Sequence, residues 1–296
     1  MNIINNDELI SEKEWIDYID SIETDFDSLE TNKERAKRIL EDKIIEAVKK
    51  NKTQSFGILF SGGVDSSLIA LISKKLGCNF TCYSVGLENA KDIEFARKVA
   101  DNLGFTLKIR VVSLEELEEI IKKVVKILNE PDFMKVGVGS VTYIASLLAK
   151  NDGKNTVFTG LGSEEIFAGY QRHADALVKG YKEVHKASFE GLKAMWKRDF
   201  VRDFSITKHI GVGVKLPFLD EDVIRTAMSI HPMHKIDKNF KKIILREIAQ
   251  SIGLPKEFAW RKKLAAQYGS RFDKAIEKLA KRNGFKYKKE YLQSLL

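Results

Sequence analysis

Sulfur is scarce in these 296 residues: the two cysteines, Cys78 and Cys82, stand in a C-x-x-x-C spacing. Two thiols cannot complete a four-ligand metal site, so they read as small buried hydrophobes. No run of 18 apolar residues exists, which leaves no candidate membrane span. The amino terminus, Met1-Asn2-Ile3-Ile4-Asn5-Asn6-Asp7-Glu8, lacks the basic-then-apolar pattern of a secretory signal, so a cytoplasmic location is expected. His173, His185, His209, His231 and His234 show no metal-ligand spacing and read as structural or surface residues, and Trp15, Trp196 and Trp260 as packing. An interleaved aromatic and basic pattern of the RNA-binding kind is also missing, which argues against nucleic acid as a partner.

What is present is an ordinary globular composition with an uneven charge. At 44% hydrophobic the chain can bury a large core, as one big domain or two. Residues 1–31 carry ten acids and one base, about −9, so the remainder holds about +17 of the net +8. From Lys235 onward, seventeen Lys or Arg face six Asp or Glu. A basic C-terminal third suits polyphosphate and carboxylate ligands, although a solvated lysine-rich surface accounts for most of these side chains.

The chemistry concentrates in Gly57-Ile58-Leu59-Phe60-Ser61-Gly62-Gly63-Val64-Asp65-Ser66-Ser67. Its first four residues read as the end of a buried strand, and Leu68, Ile69, Leu71 and Ile72 follow at helical spacing. A strand, a tight glycine turn and a helix N-terminus make a place to hold phosphate. Gly62 and Gly63 admit positive φ and close backbone approach, while Ser61, Ser66 and Ser67 add hydroxyl donors. The Lys of Gly-x-x-x-x-Gly-Lys-[Ser/Thr] is absent, so this is not a Walker A loop.

Around this loop strands and helices alternate. Asn32 to Lys50 reads as an amphipathic helix, preceded by an acidic segment, 7–31, expected to lie on the body as a short helix or loop. Phe80 to Val85 reads as a strand ending at Gly86, and Asp92 to Leu103 as a helix closed by Gly104. Thr106 to Val112 reads as another strand, and Ser113-Leu114-Glu115-Glu116 as a capping box opening a helix to about Asn129. Pro131 stops that helix, Gly137-Val138-Gly139 reads as a flexible turn, and an apolar helix runs from Val141 to Lys150. Thr156 to Thr159 is the fourth strand. The pattern predicts an α/β fold with a parallel sheet and helices on both faces, over about 32–173, followed from about 174 to 296 by an all-helical half. Ligands of such sheets sit beyond the carboxyl ends of the strands.

The fourth strand leads into Gly160-Leu161-Gly162-Ser163-Glu164-Glu165-Ile166-Phe167-Ala168-Gly169-Tyr170, a second glycine turn with two carboxylates at a helix start. Carboxylates beside a polyphosphate loop would repel the ligand unless a hard cation bridged them, which makes Glu164 and Asp65 candidate Mg²⁺ ligands. Taken alone, Glu164 and Glu165 read equally well as first-turn acids favoured by the helix dipole.

Ser-Gly-Gly-x-Asp-Ser-Ser resembles the pyrophosphate loop of the ATP pyrophosphatases, which split ATP between its α- and β-phosphates. Gly-x-Gly-Ser-[Asp/Glu]-Glu-x-Phe-x-Gly-Tyr resembles the second signature of the asparagine synthetase synthase domain, shared with the β-lactam and carbapenam synthetases. Pro217-Phe218-Leu219-Asp220, Lys242-Ile243-Ile244-Leu245-Arg246-Glu247 and Trp260-Arg261-Lys262-Lys263 follow in the family's order, so the resemblance covers about residues 33–280. It implies an adenine-nucleotide α-hydrolase-like fold, with ATP and Mg²⁺ as cofactors. The implied ATP and pyrophosphate residues are Leu59, Ser61, Gly62, Gly63, Asp65, Ser66, Ser67, Val85, Gly86, Gly160 and Lys242, the adenine meeting the backbone at Val85 and Gly86. Asp65 and Glu164 are the implied metal ligands, and Lys242 and Glu164 the implied catalytic pair. Without the resemblance, Lys242 reads as one more helical surface lysine.

The resemblance is weaker where the acceptor would bind. The chain has no N-terminal glutaminase segment with a Cys nucleophile, so ammonia, a separate glutaminase subunit's ammonia, or another amine is the expected nucleophile. Leu161 stands where asparagine synthetases have Glu and lactam-forming relatives have Tyr. Gly137 or Val138 replaces an Arg, and Gly213 and Lys215 replace a Glu and an Arg. The expectation is an AMP-forming amide ligase acting on a small carboxylate. Ammonia-dependent asparagine synthesis and a non-catalytic ATP-binding regulatory role are the alternatives. Two cysteines disfavour a tRNA-thiolating role, and a homo-oligomer stays open.

Overall fold

The computed structural model describes residues 3–5, 8–261 and 265–296. The chain starts with a minimal hairpin, β1 (Ile4–Asn5) on β2 (Glu8–Leu9), then α1 (Glu12–Ser21), a 3₁₀ turn at Phe26–Ser28 and α2 (Lys33–Asn51). Strict alternation follows: β3 (Phe56–Leu59), α3 (Val64–Lys75), β4 (Phe80–Gly86), α4 (Lys91–Leu103), β5 (Leu107–Val111) and α5 (Leu114–Leu128). Then come α6 (Phe133–Asn151), β6 (Thr156–Phe158), the single turn α7 (Ser163–Ile166), α8 (Gln171–Leu177) and α9 (Tyr181–Met195). A π-helical turn, Trp196–Phe200, runs into α10 (Val201–Ile210) and β7 (Gly213–Lys215). Helices α11 (Glu221–Met228), α12 (Ile243–Ile252), α13 (Lys256–Ala259), α14 (Ala266–Gly269), α15 (Phe272–Arg282) and α16 (Lys288–Gln293) complete the chain.

One five-stranded parallel sheet, in the order β5-β4-β3-β6-β7, carries both glycine loops. From β3 the chain adds β4 and β5 on one side, then returns to add β6 and β7 on the other. The reversal lies between β3 and β6, and the crevice beyond the carboxyl ends of such neighbours is where open α/β sheets bind ligands. Both faces are covered. Phe56, Ile58, Cys82 and Phe158 point into a core shared with α2, α3, α11 and α12. Tyr83, Val85, Val157 and Val214 point into the other, shared with α5, α6, α10 and α15. Neighbouring residues on one strand thus enter opposite cores, the period-2 pattern of a doubly covered sheet.

The capping signals act as expected. Ser113 and Glu116 form a reciprocal capping box, and Gly104 and Asn129 close their helices in left-handed conformation. Two expectations fail. The Gly137-Val138-Gly139 segment is no turn: it lies inside α6, which is capped by Asp132, whose side chain accepts from the Met134 and Lys135 amides. These glycines bring α6 close to its neighbours, for a Cβ on Gly139 would lie 2.8 Å from Ile206 Cδ1, and one on Gly137 3.1 Å from Gln267 Cβ. Nor is the C-terminal half all-helical, because β7 pairs with β6 through Thr156↔Gly213 to Phe158↔Lys215. A three-residue edge strand reading Gly-Val-Lys offers too little alternation to be seen in sequence.

The acidic N-terminal segment is fastened to the body by burial as well as by charge. Trp15 is fully buried, donates from Nε1 to the Leu192 carbonyl (2.7 Å) and meets Phe200 edge-on at 4.9 Å. Asp20 pairs with Lys193 (2.5 Å) and Glu12 with Lys197 (3.0 Å). Trp15→Ala is expected to cost about 3–5 kcal/mol, read from denaturant unfolding. A cost under about 1 kcal/mol would mean that the segment is not part of the folded core.

Candidate functional site

β3 delivers the first loop to the crevice, its last pairing being the Phe60 amide on the Tyr83 carbonyl (2.8 Å). Gly62 then turns with φ +64°, and a Cβ there would lie 2.8 Å from the Phe95 carbonyl carbon and 2.9 Å from the Ala96 amide of α4. Only glycine closes this turn, on conformational and steric grounds alike. Gly63 is the N-cap of α3 and offers no capping side chain. Ser66 Oγ donates to the Gly63 carbonyl (3.3 Å) and accepts from the Ser61 amide (3.4 Å), while Ser61 Oγ accepts from the Gly63 amide (3.4 Å). These bonds are long, so the hydroxyls hold the turn only loosely and can be redirected. Ser67 Oγ is buried and has no hydrogen-bond partner among the described residues.

β6 delivers the second loop beside the first. A Cβ on Gly160 would sit 2.8 Å from Asp65 Cβ, so the two loops touch there. Gly162, at φ +94°, lets Leu219 of the Pro-Phe-Leu-Asp turn pack on the backbone; a Cβ would lie 2.3 Å from Leu219 Cδ2. Asp220 of that turn caps α11 by accepting from the Asp222 amide (3.1 Å).

Lys242 binds the loops to each other. It is not in a helix but caps α12 at φ +58°, a left-handed position rare for a lysine. Its side chain is buried, with Nζ 2.9 and 3.0 Å from the two Asp65 oxygens, 2.6 Å from Glu164 Oε1 and 3.1 Å from Ser163 Oγ. Burial works against the ammonium, but Asp65 and then Glu164 outweigh it and hold its pKa above the ordinary lysine range. The first loop, the second loop and the α12 cap thus converge on one proton-rich nitrogen.

Beside this junction lies a cleft of about 210 Å³. Leu59, Ser61, Asp65, Ser66, Val85, Gly160 and Glu164 all line it. Gly62, Gly63, Ser67 and Gly86 are not among its lining residues, and Gly86 is packed so closely that a Cβ would fall 2.6 Å from Ala90 Cβ. Lys242 does not line this cleft; it lines a second cavity that shares Asp65 and Glu164 with it. Of the Trp260-Arg261-Lys262-Lys263 motif, Lys262 and Lys263 lie outside the described residues.

Val138 and Leu161, where the sequence departs from the family pattern, line the cleft together with Val141, Thr142, Ala145, Arg202 and Asp203, which sequence reasoning missed. Arg202 is saturated: Nε and Nη2 reach Asp203 (2.7 and 2.9 Å) and Nη1 reaches Asp199 (3.0 Å). Thr142 Oγ1 donates to Asp203 Oδ1 (3.3 Å). Glu165, fully buried, pairs with Arg198 and, at 3.5 Å, with Arg172; burial, with Asp199 close by, still lifts its pKa to about 7. The Arg172 guanidinium lies 4.2 Å over the Tyr170 ring. Arg198-Asp199 and Arg202-Asp203 recur at helical spacing, the one signal in sequence, yet charged pairs of that kind usually face solvent.

The sequence that builds this site matches a known family. The asparagine synthase family model matches residues 40–183 and 176–291, nearly the whole chain. The chain belongs to the asparagine synthase family. A Methanocaldococcus jannaschii protein provisionally named glutamine-hydrolyzing asparagine synthetase 1 is 35% identical over 90% of this chain and 55% of its own length. The glutamine-hydrolyzing asparagine synthetase B of Escherichia coli is 29% identical over 85% of this chain and 46% of its own. The chain therefore spans about half the length of these curated relatives. A solved NMN synthetase from Francisella tularensis aligns over 90% of the chain and 94% of its own with TM-score 0.45 and 11% identity, too distant for any argument. Among the described residues no helix is long and apolar enough to cross a membrane.

The corner that presents Tyr170 depends on His173, which is buried and accepts at Nδ1 from the Tyr170 amide (3.1 Å). Burial first, then the Arg172 and Lys235 charges, push its pKa down to about 3 from an ordinary 6.5. A histidine whose folded pKa is depressed contributes full stability above about pH 6.5, and loses it as pH falls toward 3, because the unfolded chain binds the proton first. The expected acid loss from this residue is about 1.4 kcal/mol per pH unit within that window. His173→Asn, which keeps an acceptor for the Tyr170 amide, should flatten the acid limb of stability against pH. Superimposable limbs would contradict the assignment.

Proposed function

We propose that this protein is an ATP-dependent amide ligase that activates a carboxylate as its adenylate, with release of pyrophosphate, and transfers the acyl group to ammonia or another amine. The observation that carries this reading is the Lys242 ammonium, buried at 2.6–3.0 Å between carboxylates of both glycine loops. A nucleotide-binding module alone would have no use for a desolvated cation at the meeting point of two phosphate-facing loops. Two features favour a fit to ATP: the glycine turn at Gly62 and the partnerless Ser67 hydroxyl behind it. Asp65 and Glu164 also suit magnesium, which takes one or two carboxylates and completes its shell with phosphate oxygens and water. When bound there it would draw charge from the polyphosphate.

The residues then divide the work. Amides of the Ser61–Gly63 turn and the α3 N-terminus hold phosphate oxygens, and Val85 borders the adenine end. The acceptor's carboxylate oxygen bonds to the α-phosphorus as the bond to the bridging oxygen of pyrophosphate breaks. Lys242, already charged and already placed, offsets the negative charge that grows on the phosphate oxygens and on the leaving group. The amine nitrogen next bonds to the acyl carbon, AMP departs, and the nitrogen loses a proton.

Leu161 cannot take that proton, and no cation at Val138 is available to hold a second carboxylate, so the acceptor is a carboxylic acid of unassigned body. The names of the relatives favour aspartate as a second reading, with asparagine as product. Ammonia could come from solution or from a separate glutaminase subunit.

The test is AMP and pyrophosphate formation from Mg·ATP and ammonium across a panel of carboxylic acids that includes aspartate. Release with aspartate alone, with asparagine formed, establishes the second reading; release with another acid establishes a different amide ligase; none with any acid overturns both. Lys242→Ala should keep ATP binding while pyrophosphate formation falls by at least about 10²–10³-fold. Unchanged release in that variant would remove Lys242 from the reaction.

A further inference from the structure

The charges that line the cleft are already claimed. Lys242 holds Asp65 and Glu164, Arg198 and Arg172 hold Glu165, and Arg202 holds Asp203. Asp92, the remaining carboxylate of the lining, faces the Arg261 guanidinium at 3.9 Å. Arg202, the one cation among the described lining residues, has Nε and Nη2 on Asp203 and Nη1 on Asp199. The cleft therefore has no cation to give to a second carboxylate. The two carboxylates that share a single ammonium, Asp65 and Glu164, are those a metal would take. A charged group on the body of the acceptor would be buried there without a partner, and such burial is costly.

What remains to meet that body is apolar. Val138, Val141 and Ala145 recur at helical spacing on one face of α6 and line the cleft, as does Leu161 of the second glycine loop. Thr142, on the same turn of α6, donates to Asp203 Oδ1 (3.3 Å), and Asp203 and Leu161 both line a small cavity of about 10 Å³. Asp203 thus ties the α6 face and Leu161 together. The other residues around that small cavity are apolar, among them Ile3, Ile4, Leu9 and Phe200, and it has room for one water at most. Leu161 has little space to turn into on that side, and its amide is tied to Thr159 Oγ1 (3.1 Å).

We propose that the acid this cleft takes is a monocarboxylate with an uncharged, apolar body, selected by Leu161 and by the Val138, Val141 and Ala145 face of α6. The fate of that acid rests on the adenylation reading; the binding preference does not.

Butanoate, succinate, aspartate and γ-aminobutyrate, acids of equal chain length that differ in charge, are titrated by calorimetry into the intact protein with Mg²⁺ and α,β-methylene-ATP, which cannot release pyrophosphate. Butanoate is expected to bind at least about tenfold tighter than each charged analogue. AMP and pyrophosphate formation from ATP and ammonium should rank the acids in the same order. Val138→Arg should weaken butanoate and admit succinate, each by about tenfold. Leu161→Ala, which removes apolar surface and adds no charge, should weaken butanoate about tenfold and leave succinate excluded. Thermal unfolding checks that each variant folds. Failure of butanoate and its longer homologues to bind, tighter binding of any charged analogue, or butanoate affinity unchanged in both variants would each overturn the apolar class. Pyrophosphate formed with aspartate alone would overturn it and keep the adenylation reading. Butanoate bound with the expected preference, but no pyrophosphate formed with any acid, would do the reverse.

Discussion

Everything in this site hangs on one buried ammonium. Asp65 belongs to the loop after β3, Glu164 to the loop after β6, and Lys242 to the cap of α12, so three distant stretches of chain are fixed by contacts of 2.6–3.0 Å around Nζ. Burying such a cluster is costly unless every member is satisfied, and Ser163 Oγ at 3.1 Å supplies the remaining partner. Removing the lysine would take the ammonium away from both carboxylates. Gly169 shows how tight the fit is, since a Cβ there would fall 1.9 Å from Glu164 Oε2 and 2.4 Å from Lys242 Cε.

The sheet order makes that junction possible. Because β6 returns to the far side of β3, the two loops leave neighbouring strands at the reversal point, and glycines at 62, 160 and 162 remove the side chains that would hold them apart. Two cavities adjoin the junction and share Asp65 and Glu164: a cleft lined in part by Val138, Val141, Ala145 and Leu161, and a second cavity lined in part by Lys238, Lys241, Lys242, Arg246 and Arg261. Arg202, which lines the cleft, is wholly engaged by Asp203 and Asp199.

Much of this was legible in the residues. The phosphate loop, the four strands β3 to β6, the capping box at Ser113 and the turn at Gly104 all carry strong local signals, namely strand–glycine–helix order, N-cap chemistry and positive φ. The failures have equally physical causes. Gly137 and Gly139 were expected to break the chain, but a helix buried against α10 and α14 needs small residues, and packing overrides their low propensity. β7 is too short to show alternation. Lys242 looks like its neighbours Lys238 and Lys241, because only the tertiary fold turns it inward. Arg198, Asp199, Arg202 and Asp203 look like a solvated face for the same reason, and the Ser163 hydroxyl and the Arg261 guanidinium acquire their meaning from partners far away in sequence.

The central claim is that Lys242 serves the breaking of the bond between α- and β-phosphates. Exchange of labelled pyrophosphate into ATP, run without any amine and across carboxylic acids, tests it most directly. The account predicts exchange that requires one class of carboxylic acid, needs no ammonium and disappears in Lys242→Ala. Exchange indifferent to the acid, or ATP cleaved to ADP and phosphate instead, would contradict it.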